Sequence, residues 1–138
     1  MAANLAVLRA AVDAWNAHDR DRYVSAYQPD VKLHGFPDGI DDAATLGDFF
    51  AGFWEAVPDA RIALGDAFAS DGDQAAARLT ITGTHEGELM GVPASHRPIS
   101  VEVMTIVRFG GDGRIAERWN VADFLSMLQQ IGAIPAAA

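Results

Sequence analysis

The hydrophobic pattern of this chain changes its period once, near Ala60, and the change limits the folds that the chain can adopt. Before Ala60, apolar residues recur every three or four positions, as they do along one face of an α-helix. After Ala60 they alternate with polar residues, which is typical of strands that bury one face. Helices followed by a run of long alternating strands predict the α+β class.

The helical half divides at capping and turn residues. It predicts a helix over residues 4–18, a second short helix over 19–27 and a short strand over 31–34. Asp41 and Asp42 then open a helix of about four turns, because side-chain carboxylates favour a helix N-terminus.

The second half predicts four strands and one closing helix. Asp123 is the expected N-cap of that helix, and Gly132 marks its end. At 138 residues, the chain is predicted to form a single domain over residues 1–138. The predicted strands cover residues 61–68, 74–86, 98–109 and 114–121.

Two segments of the strand half carry recognisable motifs. They read G-T-H-E-G-E-L-M-G-V-P at residues 83–93 and G-R-I-A-E-R-W-N-V-A-D at residues 113–123. Both resemble the SnoaL-like polyketide cyclase family, whose members carry a G-T-H-x-G-x-x-x-G-x-P turn and a G-K/R-I-x-E-x-W-D/N-x-x-D final strand. The resemblance implies a curved antiparallel sheet wrapped around the N-terminal helices, which forms a cone with an apolar pocket.

The resemblance also implies which face of the last strand looks into the cone. Alternation places Arg118 and Asn120 on that face. In polyketide cyclases an Asp at the position of Asn120 shuttles a proton during an intramolecular aldol closure, and a His stands at the position of Thr105. An amide does not titrate, so we expect Asn120 to position a substrate or donate a hydrogen bond to an enolate oxygen. The alternative is a buried, satisfied Asn120 without catalytic use.

Two further side chains are candidates for catalysis. A buried guanidinium at Arg118 needs a carboxylate partner or an anionic substrate, so Arg118 is expected to polarise a substrate oxygen. His34 ends the first predicted strand, where related cones place an acid or base, and imidazole titrates near neutral pH. His34 is therefore the predicted general base, and the alternative is a hydrogen-bonded histidine at the pocket rim.

Large apolar side chains are expected to shape the pocket and to suit a flat polycyclic or aromatic ligand. The alternative is that they form plain hydrophobic core. Alternation on the strand at 98–109 adds inward-facing positions to the set. The predicted substrate-binding residues are Trp15, Phe49, Phe53, Met90, Val103 and Thr105.

Composition and missing motifs exclude several classes of partner. Ten basic against nineteen acidic residues give a formal charge of −9, which argues against nucleic-acid binding. The chain has no cysteine, no helical His pair, no Walker A motif and no G-x-G-x-x-G, so we expect neither a metal nor a nucleotide cofactor. No apolar run approaches the roughly 20 residues that span a bilayer, and the N-terminus lacks a basic n-region. A cytoplasmic location is expected.

The leading functional hypothesis is a cofactor-independent small-molecule enzyme. It would perform proton transfer, with aldol-type cyclisation or isomerisation of a polyketide-like or polycyclic carbonyl compound. The alternatives are a non-catalytic binding protein on the same fold, or epoxide opening or hydroxylation in the same pocket. Limonene-type epoxide hydrolysis needs an Asp-Arg-Asp constellation, and Arg118 has no inward acidic neighbour two residues away.

The outer face of the predicted sheet carries apolar residues that need cover. Met104, Ile106 and Trp119 alternate on strands whose other face already lines the cone, and Glu117 lies among them. We therefore expect a homodimer joined through this sheet face, which the family resemblance also implies.

Overall fold

The computed structural model describes residues 2–135. These residues form four α-helices and five β-strands, and the predicted α+β class is confirmed. In chain order the elements are α1 (Ala2–Asn16), α2 (Arg20–Val24), β1 (Tyr27–His34), α3 (Ala43–Ala56), β2 (Arg61–Ala69), β3 (Gln74–Thr84), β4 (Pro98–Phe109), β5 (Ile115–Ala122) and α4 (Phe124–Gln130).

Three helices begin at aspartates that cap them. Asp19, Asp42 and Asp123 each accept a hydrogen bond from the backbone N–H three residues later, at the starts of α2, α3 and α4. At α3 the Thr45 hydroxyl also accepts from the backbone N–H of Asp42, which completes a capping box. These bonds join residues close in sequence, which is why the helix starts could be predicted from the sequence.

The sheet has the strand order β1-β5-β4-β3-β2 and is curved but not closed. Strands β2 to β5 form the expected antiparallel meander, whereas β1 pairs with β5 in parallel. β1 begins at Tyr27, before the predicted strand start, and runs through Pro29. An edge strand tolerates proline because one row of its N–H groups has no partner strand.

The helices cover the concave face of the sheet and hold each other through aromatic contacts. α1 packs against β2, and α3 packs against β1. Trp15 of α1 is buried between α3 side chains, with ring centroids 5.7 Å from Phe50 and 5.6 Å from Trp54 in edge-to-face geometry. No helix among residues 2–135 combines the length and apolar character needed to cross a bilayer.

Candidate functional site

A pocket lies between the concave face of the sheet and helices α1 and α3. Most of its lining is aliphatic or aromatic, and Phe36, in the loop after β1, is part of this lining. Of the residues expected to bind substrate, five line this pocket: Trp15, Phe49, Phe53, Val103 and Thr105. The sequence-predicted apolar residues are thus brought together, with Met90 as the exception described below.

One polar cluster interrupts the apolar lining, and Arg118 is its centre. The Arg118 Nε donates to Thr105 Oγ1 at 2.9 Å, and its Nη2 donates to Asn120 Oδ1 at 2.8 Å. Its Nη1 donates to the hydroxyl oxygens of Tyr23 at 3.0 Å and Tyr27 at 2.9 Å. All five side chains line the pocket.

Strand pairing explains how three members of this cluster meet. Arg118 and Asn120 are two residues apart on β5, so both point inward. Thr105 of β4 lies directly opposite Asn120 in the register, and Val107 lies opposite Arg118. Thr105 is therefore a diagonal neighbour of Arg118 on the same face, within reach of its side chain. Its hydroxyl accepts from Arg118 and donates to the backbone oxygen of Trp119 at 3.0 Å.

The two tyrosines of the chain complete the cluster, and the sequence analysis missed both. Tyr23 comes from α2 and Tyr27 from the start of β1, and their hydroxyl oxygens are 2.7 Å apart. They lie 95 and 91 residues before Arg118 in the chain. The only signal in the sequence was that both phenols fall within one short segment beside a strand.

Arg118 carries a buried positive charge. Arg118 is only 7% exposed, and none of its described hydrogen-bond partners is a carboxylate. Burial opposes the charge, but the interactions with Tyr27 and Tyr23 outweigh burial and raise the pKa of Arg118. Burial is also the main reason why the pKa of the Tyr23 phenol lies well above its ordinary value. At neutral pH the cluster therefore contains a guanidinium and a neutral Tyr23 phenol.

The hydrogen-bond inventory shows what this cluster can offer a ligand. A guanidinium only donates, so the oxygen of Asn120 must face Arg118 and the amide NH2 group is left for other contacts. Four of the five N–H groups of Arg118 are used within the described residues, which leaves one on Nη2. In the bonded pair of phenols, one hydroxyl donates to the other, whose own proton remains available. The cluster presents donors to the pocket.

Comparison with known proteins assigns this architecture to a family. The sequence model of the SnoaL-like polyketide cyclase family matches residues 5–131, which is most of the chain. The chain belongs to the SnoaL-like polyketide cyclase family. No curated protein matches the sequence.

Three solved structures resemble this chain over nearly all of its length. The proposed hydroxylase AclR from Streptomyces galilaeus is 28% identical with a TM-score of 0.88, and the alignment covers 100% of this chain and 86% of AclR. TsrD from Streptomyces laurentii is 26% identical with a TM-score of 0.87, covering 97% of this chain and 98% of TsrD. IdmH from Streptomyces antibioticus, a proposed polyketide cyclase, is 27% identical with a TM-score of 0.81, and the alignment covers 94% of this chain and 98% of IdmH. These neighbours support a small-molecule enzyme on this fold.

His34 does not take the place expected of a SnoaL-like pocket base. Its ring stacks on Trp119 with centroids 5.4 Å apart, its Nε2 is 2.8 Å from Glu117 Oε2, and its side chain is 48% exposed. The parallel register of β1 with β5 pairs His34 with Trp119, and both point to the convex face. This position corrects the expectation that His34 faces the pocket. The hydrogen bond from His34, assisted by Arg108, lowers the pKa of Glu117.

Met90 is also placed differently from the expectation. It has a φ of 51° in a tight turn where Leu89 and Val92 pair with each other, and it is 47% exposed. Leu89 is the buried residue of this turn. The G-x-P end of the SnoaL-like motif therefore folds back on itself, and Met90 does not reach the pocket lining.

The loop after β1 closes over the polar cluster. Gly35 has a φ of +86°, and a Cβ at this position would overlap the backbone oxygen of Asn120. Only glycine combines the left-handed conformation with this close approach. The next residue, Phe36, places its ring 5.2 Å from Cζ of Arg118, in a cation–π arrangement.

Gly35→Ala is expected to lower the free energy of unfolding by about 2–4 kcal/mol, because it adds both backbone strain and an overlap with Asn120. Gly39→Ala is the matched control, since Gly39 has a φ of +90° but an open surrounding space. The control should cost about 1 kcal/mol from strain alone. Urea unfolding of both variants measures the difference, and equal losses would contradict the close contact.

The pocket is narrow in this conformation. Its cavity volume is about 70 Å³, which is room for several water molecules. By comparison, an apolar cavity of about 150 Å³ in a protein core takes up a single benzene ring. A fused-ring ligand must therefore displace lining side chains, and Phe36, on a loop bounded by Gly35 and Gly39, is the side chain that we expect to move. Among the described residues, no three His, Asp or Glu side chains come together as a metal site.

Proposed function

We propose that the protein is a cofactor-independent enzyme for a polyketide-like or polycyclic carbonyl compound. The reaction is an aldol-type cyclisation or an isomerisation through an enolate. One observation carries this proposal: a buried guanidinium, without a carboxylate among its described partners, lies with spare donors in the apolar pocket of a SnoaL-like fold. Donors held in place in an apolar pocket stabilise negative charge that develops on a carbonyl oxygen.

Arg118 and Asn120 have the central role in this mechanism. In an aldol closure, the carbon of the ionised enol forms a bond to an acceptor carbonyl carbon, the negative charge passes from the enolate oxygen to the acceptor oxygen, and the acceptor oxygen then gains a proton. Arg118 Nη2 and the amide of Asn120 would donate to the oxygen that carries the negative charge. Asn120 thus acts as a donor at the position where related cyclases use an ionisable Asp.

Tyr23 and Tyr27 would relay the proton. Their hydroxyl oxygens share a hydrogen bond of 2.7 Å beside Arg118, so one phenol can accept a proton while the other releases one. The relay leaves both phenols neutral at the end of the cycle. This route needs no separate general base, which fits a pocket whose described lining contains neither imidazole nor carboxylate.

The test uses a fused-ring aromatic compound with a 1,3-dicarbonyl side chain and a ketone within reach of it. We expect the protein to accelerate formation of the cyclised isomer, measured by chromatography with mass detection. Arg118→Met should remove the acceleration. Saturable binding without any acceleration would instead favour the alternative of a binding protein.

Hydroxylation in the same pocket is the second candidate, and the likeness to the proposed hydroxylase AclR favours it. A hydroxylated product would contain one additional oxygen atom, and its formation would consume dioxygen. An oxygen electrode and the product mass therefore separate hydroxylation from cyclisation in the same assay.

We further propose a homodimer through the convex face of the sheet. The register aligns Phe68, Ile106 and Trp119 in one row across the strands, with Met104 and Val121 in the next row. Phe68, Met104 and Val121 are 67%, 65% and 74% exposed. An apolar patch of this kind on a sheet face is typical of a protein interface.

Met104→Glu is expected to convert the dimer into a monomer, because it buries a charge in the proposed interface without touching the pocket. Leu125→Glu is the control, since Leu125 is also apolar and is 61% exposed but does not belong to this apolar patch. Sedimentation velocity gives both masses. A parent protein that sediments as a monomer at every concentration would contradict the proposal.

A further inference from the structure

We propose that the pocket takes its ligand as an anion whose charge rests on a single oxygen, an enolate or a phenolate, and not as a neutral compound or a carboxylate. This inference rests on the proposed function, because it names the charge state of the substrate for that same pocket. It follows from the charge of the pocket and from the donors that Arg118 has left.

The elements around the pocket together contribute few titratable groups to it. The titratable side chains of its lining are Tyr23 from α2, Tyr27 from β1 and Arg118 from β5, while the remaining lining residues carry no ionisable group. The guanidinium therefore brings a positive charge to the described lining, and no carboxylate of that lining balances it. A buried charge is costly until it is paired, so an anionic ligand gains more in this pocket than a neutral one.

The N–H groups that Arg118 has left favour a single oxygen over a carboxylate. A carboxylate binds arginine best through two parallel N–H groups on one edge of the guanidinium. On Arg118 the Nε–H is held by Thr105, both Nη1 protons are held by the tyrosines, and one Nη2 proton is held by Asn120. No edge keeps two free N–H groups within the described residues.

The donors that remain surround one end of the guanidinium. They are the second Nη2 proton, the amide NH2 of Asn120 beside it, and the spare phenol proton of the tyrosine pair at Nη1. Three donors at the same end of the guanidinium suit an oxygen with three lone pairs, which an enolate or phenolate provides. Such a site holds the ionised form of an acidic ligand more tightly than the protonated form and lowers the pKa of that ligand.

The experiment uses three probes with one ring system. They are 2-hydroxyanthraquinone, whose visible absorption changes on ionisation, its methyl ether, and anthraquinone-2-carboxylate. We expect the hydroxyl probe to bind about ten- to a hundredfold more tightly than the ether at a pH where it ionises. Its absorption should show that the bound form ionises at a lower pH than the free form. The carboxylate should bind more weakly than the phenolate.

Asn120→Asp tests the same inference within the protein. The new carboxylate would take the position of Asn120 Oδ1, 2.8 Å from Arg118 Nη2, and supply the missing counter-charge at nearly constant volume. We expect this variant to lose the preference for the hydroxyl probe over the ether and to stop shifting the ionisation of the probe. Gln74→Glu makes the same chemical change at an exposed site outside the pocket and should behave like the parent.

The outcomes separate this inference from the proposed function. If the ether binds as tightly as the hydroxyl probe, or if Asn120→Asp keeps the preference, the inference is wrong while a role for the pocket in carbonyl chemistry stands. If the carboxylate binds most tightly, the single-oxygen geometry is wrong. If none of the three probes binds, both the inference and the proposed fused-ring substrate are overturned.

Discussion

Arg118→Met is expected to lower the turnover of a cyclisable substrate by about 100- to 1000-fold while the protein remains folded. The substitution removes the charged donor at which the oxyanion would develop. It also removes four hydrogen bonds and one buried charge that has no carboxylate among its described partners, and these two effects on the free energy of unfolding oppose each other. We therefore expect stability to change by less than about 2 kcal/mol.

Steady-state kinetics and urea unfolding measure these two quantities on the same preparation. Arg61→Met is the matched control, because Arg61 is an exposed arginine of β2 that does not line the pocket. The control should keep the turnover of the parent. If Arg118→Met turns over substrate like the parent, the catalytic site must lie elsewhere on the molecule.

Asn120→Asp is the second substitution with a large expected effect. In related cyclases an Asp at this position handles the proton, but here Arg118 lies 2.8 Å from the oxygen that would become a carboxylate oxygen. Burial raises the pKa of a carboxyl group, and the adjacent guanidinium lowers it. We expect the effect of the guanidinium on the pKa to exceed that of burial, so that the new Asp is ionised at neutral pH and forms an ion pair with Arg118.

Two measurements follow from this ion pair. Native turnover should fall by about 100-fold or more, because the new carboxylate neutralises Arg118 and replaces the amide donor of Asn120. The free energy of unfolding at neutral pH should rise by about 1–3 kcal/mol. This gain is present above the pKa that Asp has in the unfolded chain, and it is lost as the pH falls through the lower pKa of the folded state. Stability that is independent of pH relative to Gln74→Glu would contradict the pairing.

Local signals account for the parts of the fold that were predicted correctly. The caps at Asp19, Asp42 and Asp123 use hydrogen bonds between residues three apart, and the starts of three helices follow from them. Alternation along β5, a property of any strand, puts Arg118 and Asn120 on one face, and the family resemblance implied that this face looks inward. The pocket aromatics of α1 and α3 follow from helical spacing in the same way.

Long-range pairing accounts for what was missed. The position of His34 depends on its parallel register with Trp119, and nothing in residues 31–34 indicates with which strand β1 pairs. Met90 was expected in the pocket because it is large and apolar, but the turn buries Leu89 instead. The local hydrophobic pattern indicates neither position.

The amino-acid sequence by itself determined the order and type of the elements, the family, and the face of β5 that carries polar groups, because each of these follows from residues close together in the chain. Only the tertiary structure decided what those polar groups do. It brought Tyr23 and Tyr27 across more than 90 residues to Arg118, turned the oxygen of Asn120 toward the guanidinium, and left the charge without a described carboxylate partner. The physical reason is that a buried charge is defined by everything packed around it, and that environment exists only after the sheet and helices have closed on one another.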